Sequence, residues 1–169
     1  MGGANAYLLS LALAAAPPSV AAQQAALTAF ADHCFSPFLT AETARKNIAA
    51  DGLRLDFYDL RPFSARAPSP VVGRPATPGT DRRCEIAFDG DQGGEAAKTA
   101  IAALASEGIT DAADLPPTHA DAALPGTTLL AARRLNPNRI AVVHTGTRPG
   151  PNGLETFLMV ERLTPEASR

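Results

Sequence analysis

The chain has 169 residues, of which 46% are apolar and 19% charged, with a formal net charge of −2. That is apolar material enough for one folded domain and too much for a disordered chain. It has no long basic run, which excludes an electrostatic grip on nucleic acid, and with 5% aromatics and no tryptophan it is poorly supplied with stacking platforms for single strands or sugars.

The first predicted element is an address. "AYLLSLALAAA" is an uncharged apolar run of 11 residues, too short to span a bilayer at about 1.5 Å per residue. Pro17 and Pro18 end it, and Val20, Ala21 and Ala22 are small residues that suit signal peptidase, with cleavage near Ala22. Residues 1–22 therefore read as a secretory signal peptide, although "MGGANA" lacks the usual Lys or Arg. Residues 23–169 read as a single domain without a membrane span, expected in the periplasm or outside the cell.

"AAQQAALTAFADHC" predicts a helix with Leu27, Phe30 and Cys34 inward. Pro37 interrupts it, Thr40 caps a second helix, "AETARKNIAAD", and Gly52 closes that one. "LRLDFYDL" alternates Leu53, Leu55 and Phe57 against Arg54, Asp56 and Tyr58, the pattern of a half-buried strand. From 61 to 83, five prolines and two glycines break every period and predict one long Pro-rich loop. "RCEIAFDG" is the second strand. "GEAAKTAIAALASEG" is a third helix, with Ala97, Ala100, Ile101, Leu104 and Ala105 on its inner face. After another irregular stretch come three strands in succession: "TTLLAARRL", "RIAVVHT" after a turn at Asn136-Pro137-Asn138, and "LETFLMVERL". The cores of the last two, "AVV" and "FLMV", are apolar on both faces, as in strands central to a sheet covered on two sides. The order α-α-β-β-α-β-β-β predicts an α+β domain, with helices packed on a largely antiparallel sheet of about five strands.

Cys34 and Cys84 are the only cysteines. Both fall on apolar faces, and an even count in an exported chain predicts a disulfide stapling the first helix to the sheet. His33 beside Cys34 projects about 100° away on a helix, so a catalytic Cys–His pair does not follow. Neither cysteine belongs to a C-x-x-C pair.

"DGDQGGE", from Asp89 to Glu95, begins like an EF-hand loop but has Gly93 at position 5 and Ala100 where the bidentate Glu belongs, so it reads as a strand-to-helix turn. Phosphate-loop, nucleophile-elbow and zinc motifs are missing, and no metal site or cofactor is expected. "HTGTRPGPNG" reads as the connection of a hairpin, with Arg148 solvated near its tip. His144, Arg148 and Asn152 are its candidate binding residues, His144 sharing a face with Ile140 and Val142. The function expected is a small exported binding or accessory protein for a protein partner or small ligand. Two alternatives stand beside it. One is an exported hydrolase with His144 as base and Asp56, Asp59 or Asp89 as its acid; the other is a subunit of a cell-envelope assembly.

Overall fold

A computed structural model describes residues 20–48, 50–63 and 67–169. Residues 1–19, most of the expected signal peptide, lie outside the described residues. Helix α1 (Val20–Ala29) runs into a π-helical turn at Phe30–Cys34 and is followed by α2 (Ala41–Ile48). Strands β1 (Leu53–Asp59), β2 (Ser69–Val72) and β3 (Thr80–Asp89) precede α3 (Gly93–Ser106). Then come β4 (Ala112–Ala113), the single turn α4 (Pro117–Ala120), β5 (Thr127–Asn136), β6 (Arg139–Gly150) and β7 (Gly153–Leu163).

The strands form one sheet in the order β2-β1-β3-β7-β6-β5-β4, with every pair antiparallel. The α+β class and the antiparallel sheet are as expected. The strand count is not: there are seven strands rather than about five. The two missed strands are short outer ones, β4 of two residues and β2 of four. Pro70 hid β2, because proline breaks a strand pattern in sequence yet is tolerated where its missing N–H would face outward. The expected loop 61–83 is thus not one loop. It contains β2 and the first residues of β3, and Thr77 donates its N–H to Tyr58 Oη (3.0 Å). The doubly apolar strands β6 and β7 do lie in the interior of the sheet.

One face of the sheet carries the helices. Phe57, Cys84, Ile86, Phe88, Val143 and Leu158 point into that side, against Ala26, Phe30, Ile48, Ala100 and Leu104. The first helix faces inward as its spacing predicts, with Phe30 and Cys34 buried. Thr40 caps α2: its Oγ1 accepts the Thr43 N–H at 3.2 Å. The inner face of α3 is rotated from the expected one. Gly93, Ala96, Ala100, Ala103 and Leu104 are buried, whereas Ile101 is 54% exposed. Gly93 sets this rotation. Its carbonyl accepts the Thr128 hydroxyl at 2.8 Å, and a Cβ there would lie 2.8 Å from Thr128 Cγ2, so the first turn is clamped to the sheet.

Cys34 and Cys84 are disulfide-bonded, with Cα atoms 5.4 Å apart across a sequence separation of 50. The bridge joins the end of the first helical segment to β3, and closing a loop of this length is worth about 4 kcal/mol in the chain-entropy model. No helix among the described residues is long and apolar enough to cross a membrane.

Candidate functional site

The other face of the sheet is ionic. Sending Cys84 and Ile86 under the helices turns Arg83 and Glu85 the opposite way, because strand side chains alternate. The same alternation places Arg54, Asp56 and Tyr58 there from β1, and Phe157, Met159 and Glu161 from β7. His144, Gly146 and Arg148 join them from β6. The register aligns Asp56 with Glu85, Glu85 with Met159, and Met159 with His144. Arg54, Asp56 and Tyr58 read in sequence as the open face of a half-buried strand, but Asp56, Tyr58, Arg83, Glu85 and Glu161 are all buried.

Neighbouring carboxylates at Asp56 and Glu85 repel unless cations separate them. Arg74, from the segment between β2 and β3, supplies one: its Nε donates to Asp56 (2.6 Å) and its Nη2 pairs with Glu85. Arg83 donates to Asp56 from Nε and Nη2, at 3.2 and 2.9 Å, and lies 3.8 Å from Glu161. Arg148 reaches Glu85 (2.5 Å) and Glu155 (2.7 Å), and Arg54 reaches Glu155 and Asp89. The result is a continuous lattice in which every buried carboxylate has at least one cationic partner. Burial works against the charge of Arg148, but its bonds to Glu85 and Glu155 outweigh that and raise its pKa.

Gly146 shapes the centre. It stands opposite Phe157 in the register and has no side chain to cover the ring. A Cβ there would lie 2.5 Å from the Gly126 carbonyl oxygen. His144 and Arg148, two residues to either side of that glycine, flank the ring at 4.9 and 4.7 Å. His144 Nε2 shares a 2.8 Å hydrogen bond with Thr127 Oγ1, which also accepts the Leu124 N–H. Burial pushes the His144 pKa down, and the charge of Arg148 adds to this against the opposing pull of Glu161. The shift favours the neutral imidazole.

His119, on α4, closes the arrangement from above, with Nε2 3.2 Å from Glu161 Oε2. Burial pushes Glu161 up, but the bonds from His119 and Thr77 and the charge of Arg83 win, leaving its pKa below the ordinary value. Between α4, the 74–78 segment and the sheet lies a pocket of about 230 Å³, lined by three arginines, both of these histidines, Phe157 and Met159.

Two of the three candidate binding residues, His144 and Arg148, line this pocket. Asn152 does not: it sits in the β6–β7 turn and donates to Asp89 at 3.0 Å. The expected hairpin connection needs correction. β6 continues through Gly150, so only Pro151 and Asn152 separate the two strands. Arg148 is therefore not a solvated tip but a strand residue directly opposite Glu155. The three acids considered for a hydrolase are engaged elsewhere. Asp56 pairs with Arg74 and Arg83, and Asp89 with Arg54. Asp59 lies at the far end of the sheet with Arg162, at 2.8 Å. That end holds a second ionic group, in which Arg162 also reaches Asp81 (2.7 Å) and burial pulls the Arg82 pKa down to about 10.

Arg74, Arg83, Glu85, His119, Glu155, Phe157 and Glu161 escaped sequence reasoning. One signal was present. Glu155 and Glu161 share a face of a strand whose middle is apolar on both sides, and a charge buried in such a strand requires a cationic partner. Among the described residues no group of three or more His, Cys, Asp or Glu is arranged to hold a metal ion. No family model matches the chain, and neither curated proteins nor solved structures include a match to it.

Proposed function

We propose that the chain is a small exported binding protein whose ligand occupies the pocket between α4 and the ionic face of the sheet. The observation that carries this reading is the lattice beneath that pocket. Buried ion pairs stabilise a fold no better than apolar residues of similar volume. What they do supply is a set of guanidinium and imidazole groups held in place before a ligand arrives, which lowers the entropic cost of binding. Polar groups converging on an aromatic wall are the usual furnishing of a ligand site. The Cys34–Cys84 bridge fits an oxidising compartment.

A hydrolase working through His144 is the competing reading. It draws on the neutral imidazole and its 2.8 Å contact with Thr127 Oγ1. Against it, no carboxylate among the described residues hydrogen-bonds His144 to orient the ring, as a triad base requires. A small-molecule fragment screen by NMR on the full chain separates the two. Binding predicts fragments that shift His144 and Phe157 together and are not consumed. Turnover of ester, amide or phosphoester substrates that disappears in a folded His144→Ala variant would select the hydrolase. Fragments that nowhere perturb the pocket would dispose of the binding reading.

A further inference from the structure

We infer that the pocket is an oxyanion receptor, in which Arg74 and Arg148 together grip a carboxylate or phosphoryl group carried on a small apolar body. The inference rests on the binding reading above and specifies its chemistry. Glu85 holds both arginines at once, taking Arg74 on Oε2 and Arg148 on Oε1. Asp56 fixes Arg74 through Nε, and Glu155 fixes Arg148 the same way at 2.7 Å. Each arginine thus spends its Nε and Nη2 on the lattice. Its Nη1, with two N–H groups, has no hydrogen-bond partner among the described residues.

Depth decides the sign of the ligand. The side chains of Glu85, Glu155 and Asp56 are 3, 6 and 10% exposed, whereas those of Arg74 and Arg148 are 53 and 24% exposed. These three acids lie underneath and the donors lie on the solvent side; Glu161, the carboxylate that lines the pocket, is itself 4% exposed and engaged by His119 and Thr77, so an arriving group meets N–H first. Each free Nη1 can make a charge-assisted hydrogen bond to an oxyanion, roughly twice as strong as a neutral one. The Arg148 guanidinium lies over the Phe157 ring at 4.7 Å, and Phe157, Met159 and Leu124 provide the apolar side of the pocket. About 230 Å³ falls below the usual range for drug-sized ligands, which limits the body to about one ring or a short chain.

The lattice sets five carboxylates (Asp56, Glu85, Asp89, Glu155 and Glu161) against four arginines (Arg54, Arg74, Arg83 and Arg148). With no surplus of positive charge, recognition comes from short hydrogen bonds rather than from a long-range field, and its salt dependence is slight.

The test uses the full, disulfide-bonded chain with four phenyl-bearing probes followed by calorimetry and NMR: benzoate, phenyl phosphate, neutral benzamide and cationic benzamidine. At least one oxyanion is expected to bind at least about tenfold more tightly than benzamide, the effect of one charge-assisted hydrogen bond. The tighter of the two identifies the headgroup as carboxylate or phosphoryl. Arg74→Gln, at the more exposed arginine, should bring the oxyanion-to-benzamide affinity ratio down toward one. Equal binding of the oxyanions and benzamide, with shifts at His144 and Phe157, would overturn the receptor but keep the pocket. Preference for benzamidine, or oxyanion binding undiminished in Arg74→Gln, would overturn it too. If no probe perturbs His144 or Phe157, both inferences fall. Should Arg74→Gln not fold, the probe series on the unaltered protein decides the matter alone.

Discussion

Truncating Arg148 to alanine removes a cation from between two buried carboxylates. Breaking a buried ion pair by deleting one partner costs about 3–5 kcal/mol, because the other charge is left uncompensated. Three features of this site move the figure toward the lower end. Arg148 keeps 24% of its side chain exposed, Glu85 retains Arg74, and Glu155 retains Arg54. Losing the contact with Phe157 adds at most about 1 kcal/mol. The expected loss is therefore about 3 kcal/mol, or a fall in Tm of roughly 6–12 °C for a domain of this size. Urea denaturation followed by circular dichroism, with the disulfide intact, measures it. A cycle with Glu155→Gln should show coupling of about 1 kcal/mol or more, because the second change removes the charge that the first one strands. A loss below about 0.5 kcal/mol, the level of an ordinary surface substitution, would refute the lattice as described and return Arg148 to a solvated position.

Cys34→Ser and Cys84→Ser should lower stability equally, by about 4 kcal/mol, with the double change no worse, since each removes the same cross-link; clearly unequal single effects would contradict this. Gly146→Ala drives a Cβ toward the Gly126 carbonyl and Thr127 Cα and should cost about 1–3 kcal/mol as overpacking, with ring-current shifts of His144 as a second readout. Acid should weaken the fold. The pKa values of His144 and Glu161 are both depressed, so each contributes stability above its ordinary value that is lost as pH falls through its folded one. For His144 the decline begins below about 6.5, and for Glu161 below about 4.3. Denaturation midpoints at pH 8, 6 and 4 should fall in that order, and His144→Gln should flatten the upper part of the slope. A midpoint that rises between pH 7 and pH 5 would contradict the His144 shift, and one that does not fall between pH 5 and pH 3 the Glu161 shift.

The dry half of this protein was legible in the sequence and the ionic half largely was not. Cys34 and Cys84 stood on apolar faces at readable periods, and their pairing followed from that together with the even count in a chain read as exported. Arg54, Asp56 and Tyr58 showed correct alternation, but alternation marks only which residues share a face. It cannot tell a face in water from one covered by a distant segment, and here Arg74 and Thr77 arrive from a stretch without any period. The two glycines and the proline of 146–150 misled for a related reason. They lower strand propensity locally, yet pairing with 153–157 holds them extended, since tertiary context overrides a weak preference. His144 was found because it continued the alternation of Ile140 and Val142. Its neighbours Phe157 and Met159 looked like ordinary core.

The contrast between the two faces also limits how the strands can assemble. In a sheet apolar on both sides, a strand that slips by one residue exchanges one greasy surface for another at little cost. β3 has no such freedom. A slip of one residue would carry Arg83 and Glu85 beneath the alanines of α3 and the phenylalanines of the helical layer, away from every partner, and would swing Cys84 out of reach of Cys34. Each mispaired alignment thus buries unmatched charge and forfeits the cross-link together. The chain is thereby confined to a single alignment before its bridge closes.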